Sequence, residues 1–419
     1  MKKIILSILV IGVTLFLVGC DFGSTTTTTV TTITTEEDTT IYEIYTVLEL
    51  QSIDMSKSYI LMNDLDLQDI EWIPLGSYLT PYDGTFDGNG FTISNMSITN
   101  KNDYYNGLFA SISGNILNLT LDQASIAYSS NFISYAGLLA GSTTGDVTNV
   151  TVSGDITITS TSGNTYVGLL AGFTSANITA TMIAEEFVPN TISGIYAEGS
   201  IDATCPNFLF AGGLIGKAYN SEVLDSFVNV GITAKTNIYR AYVGGLIGHH
   251  YGGILIGYEE FVDSTDILIA RNLVFSNIEV TSNGTNTSIG GIVGYSQYSV
   301  VKDNIASTSV SVSGESIYFG SFLGESWNST LEDSLGISDV TIEETETQIL
   351  ELNNVVGISN LESVKTNLYY VISSNLTVTL EEATLATSLQ ITDETWLNST
   401  FDFTLNHSYF TEALALLSE

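Results

Sequence analysis

Apolar and polar residues alternate with a period of two in several stretches of the chain between residues 100 and 345. These stretches are rich in Val, Ile and Thr, and such alternation is typical of β-strands that bury one face. The same region contains no stretch with a convincing helical period of apolar residues. The pattern therefore predicts an all-β fold. The clearest strands are predicted at 149–159, 226–236, 272–282, 305–315 and 334–344.

A glycine-flanked apolar pair recurs along the same region, as in VGGLIG at 243–248. There are seven copies, and the steps between their first glycines are 30, 31, 44, 32, 46 and 30 residues. Each long step equals a standard step plus about 14 to 16 residues, which indicates an inserted loop. The repeat glycines are Gly107, Gly137, Gly141, Gly168, Gly172, Gly212, Gly216, Gly244, Gly248, Gly290, Gly294, Gly320 and Gly324.

A unit of two or three short strands cannot bury its apolar face alone, so successive units must stack on one another. We expect the glycines to admit the backbone dihedrals of tight corners and the close approach of one coil to the next. The apolar pair, Leu246 and Ile247 in one copy, would fill the interior. Phosphate binding is an alternative role for the glycines, but the chain has no GxGxxG and no Walker lysine. The repeat thus predicts a β-solenoid of about seven units of roughly 30 residues.

The repeat G-[LG]-[LI]-[IAV]-G resembles the GLUG motif of bacterial surface proteins. The upstream stretch from YILMNDLDLQDIEWIPLG to NGLFASISGNILNLTL is similar to the segment that precedes such motifs, so the resemblance covers roughly residues 41–345. It implies a parallel β-helix or a similar β-solenoid with coils about 4.8 Å apart. Some secreted immunoglobulin-A-type metallopeptidases carry the same repeats beside a catalytic zinc domain. This chain has no His-Glu-x-x-His, so that activity is not expected.

The first twenty residues combine two lysines, an apolar run over 4–18 and the tetrapeptide LVGC, which ends at Cys20. The apolar run is typical of a signal-peptide core rather than a membrane span. Its end resembles a bacterial lipobox, which implies cleavage before Cys20 and acylation of that cysteine. An ordinary secretory signal with an accidental cysteine is the alternative. The resemblance predicts a protein anchored by acyl chains to the outer face of a bacterial membrane.

The remaining chain divides by composition. Residues 21–40 are rich in threonine without apolar periodicity and predict a disordered tether. Residues 41–105 are expected to form an N-terminal cap and the first coils, with Thr46 and Glu49 as a capping box ahead of a short helix. Residues 106–345 carry the repeats. Residues 346–419 predict a C-terminal cap, with short helices at 380–390 and 408–419, or else a small extra domain.

Charge and cysteine content limit the partners. The chain has 46 acidic and 10 basic residues, and removing Lys2 and Lys3 with the signal leaves 46 − 8 = 38 net negative charges. Such a surface repels nucleic acid, so no nucleic-acid partner is expected. Cys20 and Cys205 are the only cysteines, which leaves no internal disulfide once Cys20 is acylated. Cys205 has no basic neighbours in sequence and is predicted to be a small buried residue.

The candidate metal and acid–base residues have plain structural alternatives. His249 and His250 follow a repeat glycine and are expected at a solvated coil corner, since adjacent strand residues point to opposite faces and cannot readily chelate one metal. In DGTFDGNG, Asp83, Asp87 and Asn89 offer oxygen ligands for calcium, but the EF-hand spacing is incomplete and turn geometry explains them better. No other cofactor is expected. The 22 tyrosines form either ladders or sugar-binding faces.

The sequence favours a non-enzymatic, lipid-anchored surface protein, expected as a monomer, that binds an extracellular glycan or protein. The predicted binding surface is the pair of insertions, which share Glu-Glu-Phe-Val. One alternative is a polysaccharide lyase or glycoside hydrolase, for which no catalytic residue can be named. Another is a coat protein without a ligand. The insertion residues are Glu185, Glu186, Phe187, Glu259, Glu260 and Phe261.

Overall fold

Nearly all of the chain's regular structure consists of four long sheets of parallel strands that run side by side. The computed structural model describes residues 3–4, 40–100, 104–176, 188–256, 260–262, 267–284, 286–314, 316–342, 350–353, 356–359, 363–366, 368–372 and 383–385. The chain visits the four sheets in a fixed order, here numbered sheet 1 to sheet 4, and then returns to sheet 1 one layer further on. This arrangement is a parallel β-solenoid, which confirms the predicted fold class.

One coil shows the path. It consists of strands Asn115–Leu117, Thr120–Ser130, Ser134–Ala136 and Ala140–Thr143, and the next coil begins at Val147–Thr148. From Tyr105 onward the coils have four strands, whereas two or three were predicted. The difference arises because the glycine motif itself contributes two strands, one on each side of a bend at the apolar pair. These strands are too short for a period of two to be visible in the sequence.

The strand bounds follow. Sheet 1 contains Lys3–Ile4, Ile41–Ile44, Ser58–Leu61, Thr85–Asp87, Asn115–Leu117, Val147–Thr148, Asn190–Ser193, Ser221–Leu224, Leu268–Ala270, Val300–Lys302, Thr330–Glu332 and Val364–Thr366. Sheet 2 contains Leu65–Asp66, Thr92–Ser94, Ser97–Ile98, Thr120–Ser130, Thr151–Ser160, Tyr196–Cys205, Phe227–Thr236, Leu273–Ser282, Ile305–Gly314, Leu335–Ile342, Leu368–Ile372 and Ala383–Leu385.

Sheets 3 and 4 begin later in the chain. Sheet 3 contains Tyr105–Asn106, Ser134–Ala136, Thr165–Gly168, Leu209–Gly212, Ala241–Gly244, Thr287–Gly290, Ile317–Gly320 and Leu350–Asn353. Sheet 4 contains Phe109–Ile112, Ala140–Thr143, Ala171–Ser175, Ile215–Tyr219, Ile247–Tyr251, Val293–Gln297, Leu323–Trp327 and Val356–Ser359. A separate hairpin pairs Ile254–Ile256 with Glu260–Val262 antiparallel.

The interior is a column of apolar side chains. Strand Thr151–Ser160 buries every second residue over its second half, as its alternation predicted. Leu246 and Ile247 of the glycine motif are fully buried, so the apolar pair does fill the interior. Each fully buried Leu or Ile contributes about 1.5–3 kcal/mol relative to an exposed one. Stacking of equivalent residues in successive coils therefore holds the solenoid together without a disulfide.

The repeat glycines allow close backbone approach, and the predicted role in corner dihedrals is wrong for them. None of them has a left-handed φ. A Cβ on Gly244 would lie 2.0 Å from the carbonyl oxygen of Ile247, and one on Gly248 would lie 2.5 Å from the carbonyl oxygen of Gly216. The left-handed corner between sheets 1 and 2 is occupied instead by polar residues with short side chains in most coils, because Asn and Asp tolerate this conformation. Examples are Asn118, Asn149, Asp225, Asp303 and Asp333.

The ends of the solenoid extend the predicted domains. The helix Val47–Gln51 has the capping box of Thr46 and Glu49 that the sequence predicted. Strands between residues 350 and 372 add a further coil in parallel register, so coil stacking continues past the boundary drawn at residue 346. Ala383–Leu385 is a strand, where a helix was expected. Lys3–Ile4 pairs antiparallel with Ile41–Ile44, and cleavage before Cys20 would remove it.

Candidate binding groove

The outer faces of sheets 3 and 4 meet along one edge of the solenoid, and the surface along this line of contact is here called the groove. Outward-facing side chains of the two sheets contact each other there, for example Tyr135 of sheet 3 with Phe173 of sheet 4, whose ring centroids are 6.2 Å apart. The sheet-3 wall is a ladder of rings stacked nearly parallel, with centroid distances of 4.5–5.3 Å. Its members are Tyr105, Tyr135, Tyr166, Phe210 and Tyr242, and Tyr78, which precedes sheet 3, stacks on Tyr105 at one end.

The sequence left two roles open for the tyrosines, ladders or sugar-binding faces. The tyrosines of sheet 3 form a ladder. Each ring face inside it covers the ring of the next coil, so only ring edges and hydroxyl groups are presented to a ligand. The faces of Tyr105 and Tyr135 are therefore not sugar-stacking platforms. Burial raises the pKa of the Tyr135 and Tyr166 hydroxyls, which thus stay protonated at neutral pH. The side chains of Tyr369 and Tyr370 lie outside the described residues.

His249 and His250 are buried within strand Ile247–Tyr251, which overturns the prediction of a solvated corner. His250 points to the interior, where its Nδ1 lies 2.6 Å from Ser299 Oγ and its Nε2 lies 2.9 Å from the Ser221 carbonyl oxygen. His249 points into the groove and stacks on Tyr295 at 4.9 Å. The two rings therefore point to opposite faces of the strand and do not chelate one metal.

His249 is surrounded by aromatic rings, and one of its two ring nitrogens has a hydrogen-bond partner. Its Nε2 lies 3.2 Å from Gln297 Oε1, while its Nδ1 is buried without a hydrogen-bond partner in the described coils. Burial lowers the pKa of His249 to about 3, and the nearby charge of Lys217 adds to this effect. His249 is therefore a neutral imidazole at physiological pH, with one polar atom left for a ligand.

Lys217 lies beside His249 on the neighbouring coil, since the two residues pair in register. Its Nζ is 5.0 Å from the ring centroids of both Phe210 and Tyr219, which is cation–π distance. No carboxylate in the described coils lies within ion-pair distance of this ammonium group. Burial lowers the pKa of Lys217 to about 8, so the side chain is mostly charged at neutral pH.

An ion pair lies further along the groove. Arg240 Nη1 is 3.2 Å from the Tyr242 hydroxyl and 3.8 Å from Glu325 Oε1, and Glu325 also accepts a hydrogen bond from Ser288. Sequence reasoning missed this cluster, although a positional signal exists. Lys217, His249 and Glu325 each directly follow the last glycine of a repeat, and the sheet-3 ring residues stand two places before the first. In the solenoid those two positions face each other across the groove.

The two insertions leave the same corner of the solenoid. One separates Ala171–Ser175 from Asn190–Ser193 and the other separates Ile247–Tyr251 from Leu268–Ala270, so both connect sheet 4 to sheet 1. The corners are two coils apart, about 10 Å. The coil between them carries Lys217. Glu185, Glu186, Phe187 and Glu259 lie outside the described residues, while Glu260 and Phe261 belong to the hairpin strand Glu260–Val262.

The remaining candidate residues have structural roles in the described chain. Asp87 Oδ1 accepts hydrogen bonds from the Asn89 N–H and the Asn118 side chain, which is the turn geometry, whereas Asp83 accepts one from Ser113. The side chains of Asp87 and Asp83 are thus bonded to two different residues of the next coil, and the calcium site stays a prediction. Among the described residues no three His, Cys, Asp or Glu side chains are grouped to hold a metal. Cys205 is fully buried, as predicted, and burial raises the pKa of its thiol.

No protein-family model matches the chain. Halomucin of Haloquadratum walsbyi is 34% identical over an alignment of 113 positions, which covers 24% of this chain and 1% of that protein. Among solved structures, a Bacteroides ovatus protein provisionally named an immunoglobulin A1 protease covers 77% of this chain and 85% of its own length, at 17% identity and a TM-score of 0.45. Cys20 lies outside the described residues, among which no helix is long and apolar enough to cross a membrane.

Proposed function

We propose that this chain is a lipid-anchored protein on the outer face of a bacterial membrane, whose solenoid binds an extracellular ligand. Acylated Cys20 would hold the chain to the membrane, and residues 21–40 would act as a tether. The ligand would bind in the groove between sheets 3 and 4, beside the two insertions. The GLUG resemblance agrees with a surface location.

The observation that carries this proposal is the placement of the two insertions. They leave equivalent corners on either side of the Lys217 coil, and loops added at one edge of a repeat commonly carry binding. The coil between them connects sheet 4 to sheet 1 through Asn220 alone. The stacking of the coils therefore does not require the added residues, which points to a role outside folding.

Removing both insertions is expected to abolish ligand binding and leave the fold intact. In the variant, residues 176–189 and 252–266 are each replaced by a single asparagine, which copies the short connection at Asn220. Binding of the detergent-purified full chain is measured against a panel of glycans and matrix proteins. Ile238→Ser, at an exposed position on the corner between sheets 2 and 3, is the control. Equal binding by the insertion-free variant would reject this placement of the site.

Cys20→Ser is expected to abolish fatty-acid incorporation and membrane retention. Two acyl signals are needed for stable anchoring, and both depend on this cysteine in the proposed processing. Metabolic labelling with a radioactive fatty acid, followed by fractionation of the cells, measures both effects. Cys205→Ser is the matched control, because that thiol is buried in the solenoid. Labelling that survives Cys20→Ser would contradict the lipoprotein assignment.

The groove also favours a second function, a polysaccharide lyase. Lys217 has the depressed pKa that suits a general base, and Arg240 and Tyr242 lie in the same groove. Such an enzyme would remove a proton beside a uronate carboxylate and release an unsaturated product. Ultraviolet absorbance during incubation with acidic polysaccharides measures this product. Its appearance, and its loss in Lys217→Met, would replace the binding function with catalysis.

A further inference from the structure

Among the described residues, Lys217 has no counter-charge within ion-pair distance, although the chain is very acidic. The protein carries 46 acidic and 10 basic residues, yet the nearest described partners of the Lys217 ammonium group are aromatic rings. Removing an ammonium group from water is costly unless it is paired. A lysine retained in such a place favours a ligand that supplies the missing negative charge.

We propose that Lys217 binds the carboxylate of an acidic polysaccharide that lies along the groove between sheets 3 and 4. This inference rests on the proposed binding function and names its ligand class. The ammonium group of Lys217 would pair with one carboxylate of the polymer. Polymer hydroxyl groups would bond the polar edges that line the groove.

His249 supplies the second polar contact. Because Gln297 Oε1 accepts a hydrogen bond from Nε2–H, the buried Nδ1 carries a lone pair and no proton. A sugar hydroxyl can donate to this atom. A uronate carries a carboxylate beside a hydroxyl group. The carboxylate would pair with Lys217 and the hydroxyl with His249, which are neighbours on adjacent coils.

The backbone of the groove favours a glycan over a peptide. Extended peptides often bind by adding a strand to an open sheet edge. The strands Leu209–Gly212 and Ile215–Tyr219 already pair with a parallel neighbour on both sides, so no edge is open beside Lys217. The ladder edges of Tyr135 and Tyr166, in the two coils before that of Lys217, instead offer hydroxyl groups that a polyhydroxylated polymer can bond.

The test compares charged and neutral forms of one polymer. Equilibrium binding of polygalacturonate and its fully methyl-esterified form to the detergent-purified full chain is measured for four proteins: the original chain, Lys217→Met, Lys217→Arg and Lys235→Met. Lys235 is an exposed lysine on sheet 2, so its loss removes the same charge away from the groove. Melting temperatures check that each variant is folded.

The acidic polymer is expected to bind Lys217→Met at least about tenfold more weakly than it binds the original chain. Its affinity for Lys235→Met should lie within about twofold of that for the original chain. Lys217→Arg keeps the charge and should retain most of the binding. The ester should bind the original chain as weakly as the acid binds Lys217→Met. Equal binding of acid and ester would overturn the inference and leave the binding function standing. If no acidic polymer binds, the inference fails, and a blank for the whole ligand panel rejects the binding function as well.

Binding of the acidic polymer is also expected to weaken as the pH rises through about 8, where Lys217 loses its charge. The groups that face Lys217 from sheets 3 and 4 do not titrate to the same effect. His249 has a pKa of about 3, and burial raises the pKa of Tyr219 and Tyr242. Arg240 stays charged throughout. Affinity that is constant across this range would contradict the role of Lys217.

Discussion

Acidification from about pH 7 to about pH 4.5 is expected to lower the free energy of unfolding by about 5 kcal/mol through two buried histidines. Burial lowers the pKa of His249 to about 3 and that of His250 to about 4, against 6.5 for an exposed imidazole. Below pH 6.5 the unfolded chain therefore binds protons that the folded chain does not. Stability is full above this pH and is lost as the pH falls toward the folded pKa values.

Urea unfolding at several pH values measures this loss. His249→Phe fits the groove, because Phe173 occupies the equivalent position two coils earlier, and His250→Gln removes the second titration. Each single variant should lose about half as much stability on acidification as the original chain. The double variant should retain only the dependence that comes from carboxylates. A double variant as acid-sensitive as the original chain would show that the histidines do not cause the effect.

Gly244→Ala is expected to destabilise the solenoid by about 3 kcal/mol or more. The added Cβ would lie 2.0 Å from the carbonyl oxygen of Ile247. This oxygen belongs to the backbone, so no change of side-chain rotamer can relieve the clash. The bend between sheets 3 and 4 would have to open in that coil. The urea midpoint and the melting temperature measure the loss.

Gly231→Ala is the matched control for this prediction. Gly231 lies within strand Phe227–Thr236, and a Cβ there would meet no atom within 4 Å. The same chemical change should therefore leave stability unchanged or raise it by about 0.4–1 kcal/mol. If both variants were equally destabilised, the effect would come from a general loss of glycine and not from close backbone approach.

The sequence allowed the repeating unit and its stacking to be predicted. It gave much less information on which side chains the stacked units bring together. Alternation in 149–159 predicted strand Thr151–Ser160, and the spacing of glycines predicted the stacking. The sheet-3 and sheet-4 strands are two to five residues long, so they show no period of their own. The glycine motif predicts these two strands only when it is known that the chain bends between them.

The histidines show why the site was missed. His249 and His250 follow a glycine, and glycine suggested an exposed corner, whereas Gly248 lies within a strand that packs against the preceding coil. Lys217 and His249 are 32 residues apart in sequence and adjacent in space. Such neighbours are found by aligning the repeats on their glycines and comparing the residue that follows the last glycine of each repeat. The assignment to the GLUG family and the acylation of Cys20 stay predictions.

In the described coils, each solenoid strand pairs with strands of the coil before it and the coil after it. A gene duplication or deletion of one whole unit of about 30 residues would therefore disturb a single junction. Relatives of this protein can differ in height by whole steps of about 4.8 Å while the three coils around Lys217 keep the same walls. Evolution can thus change the length of the solenoid on either side of the groove without changing the side chains that line the groove.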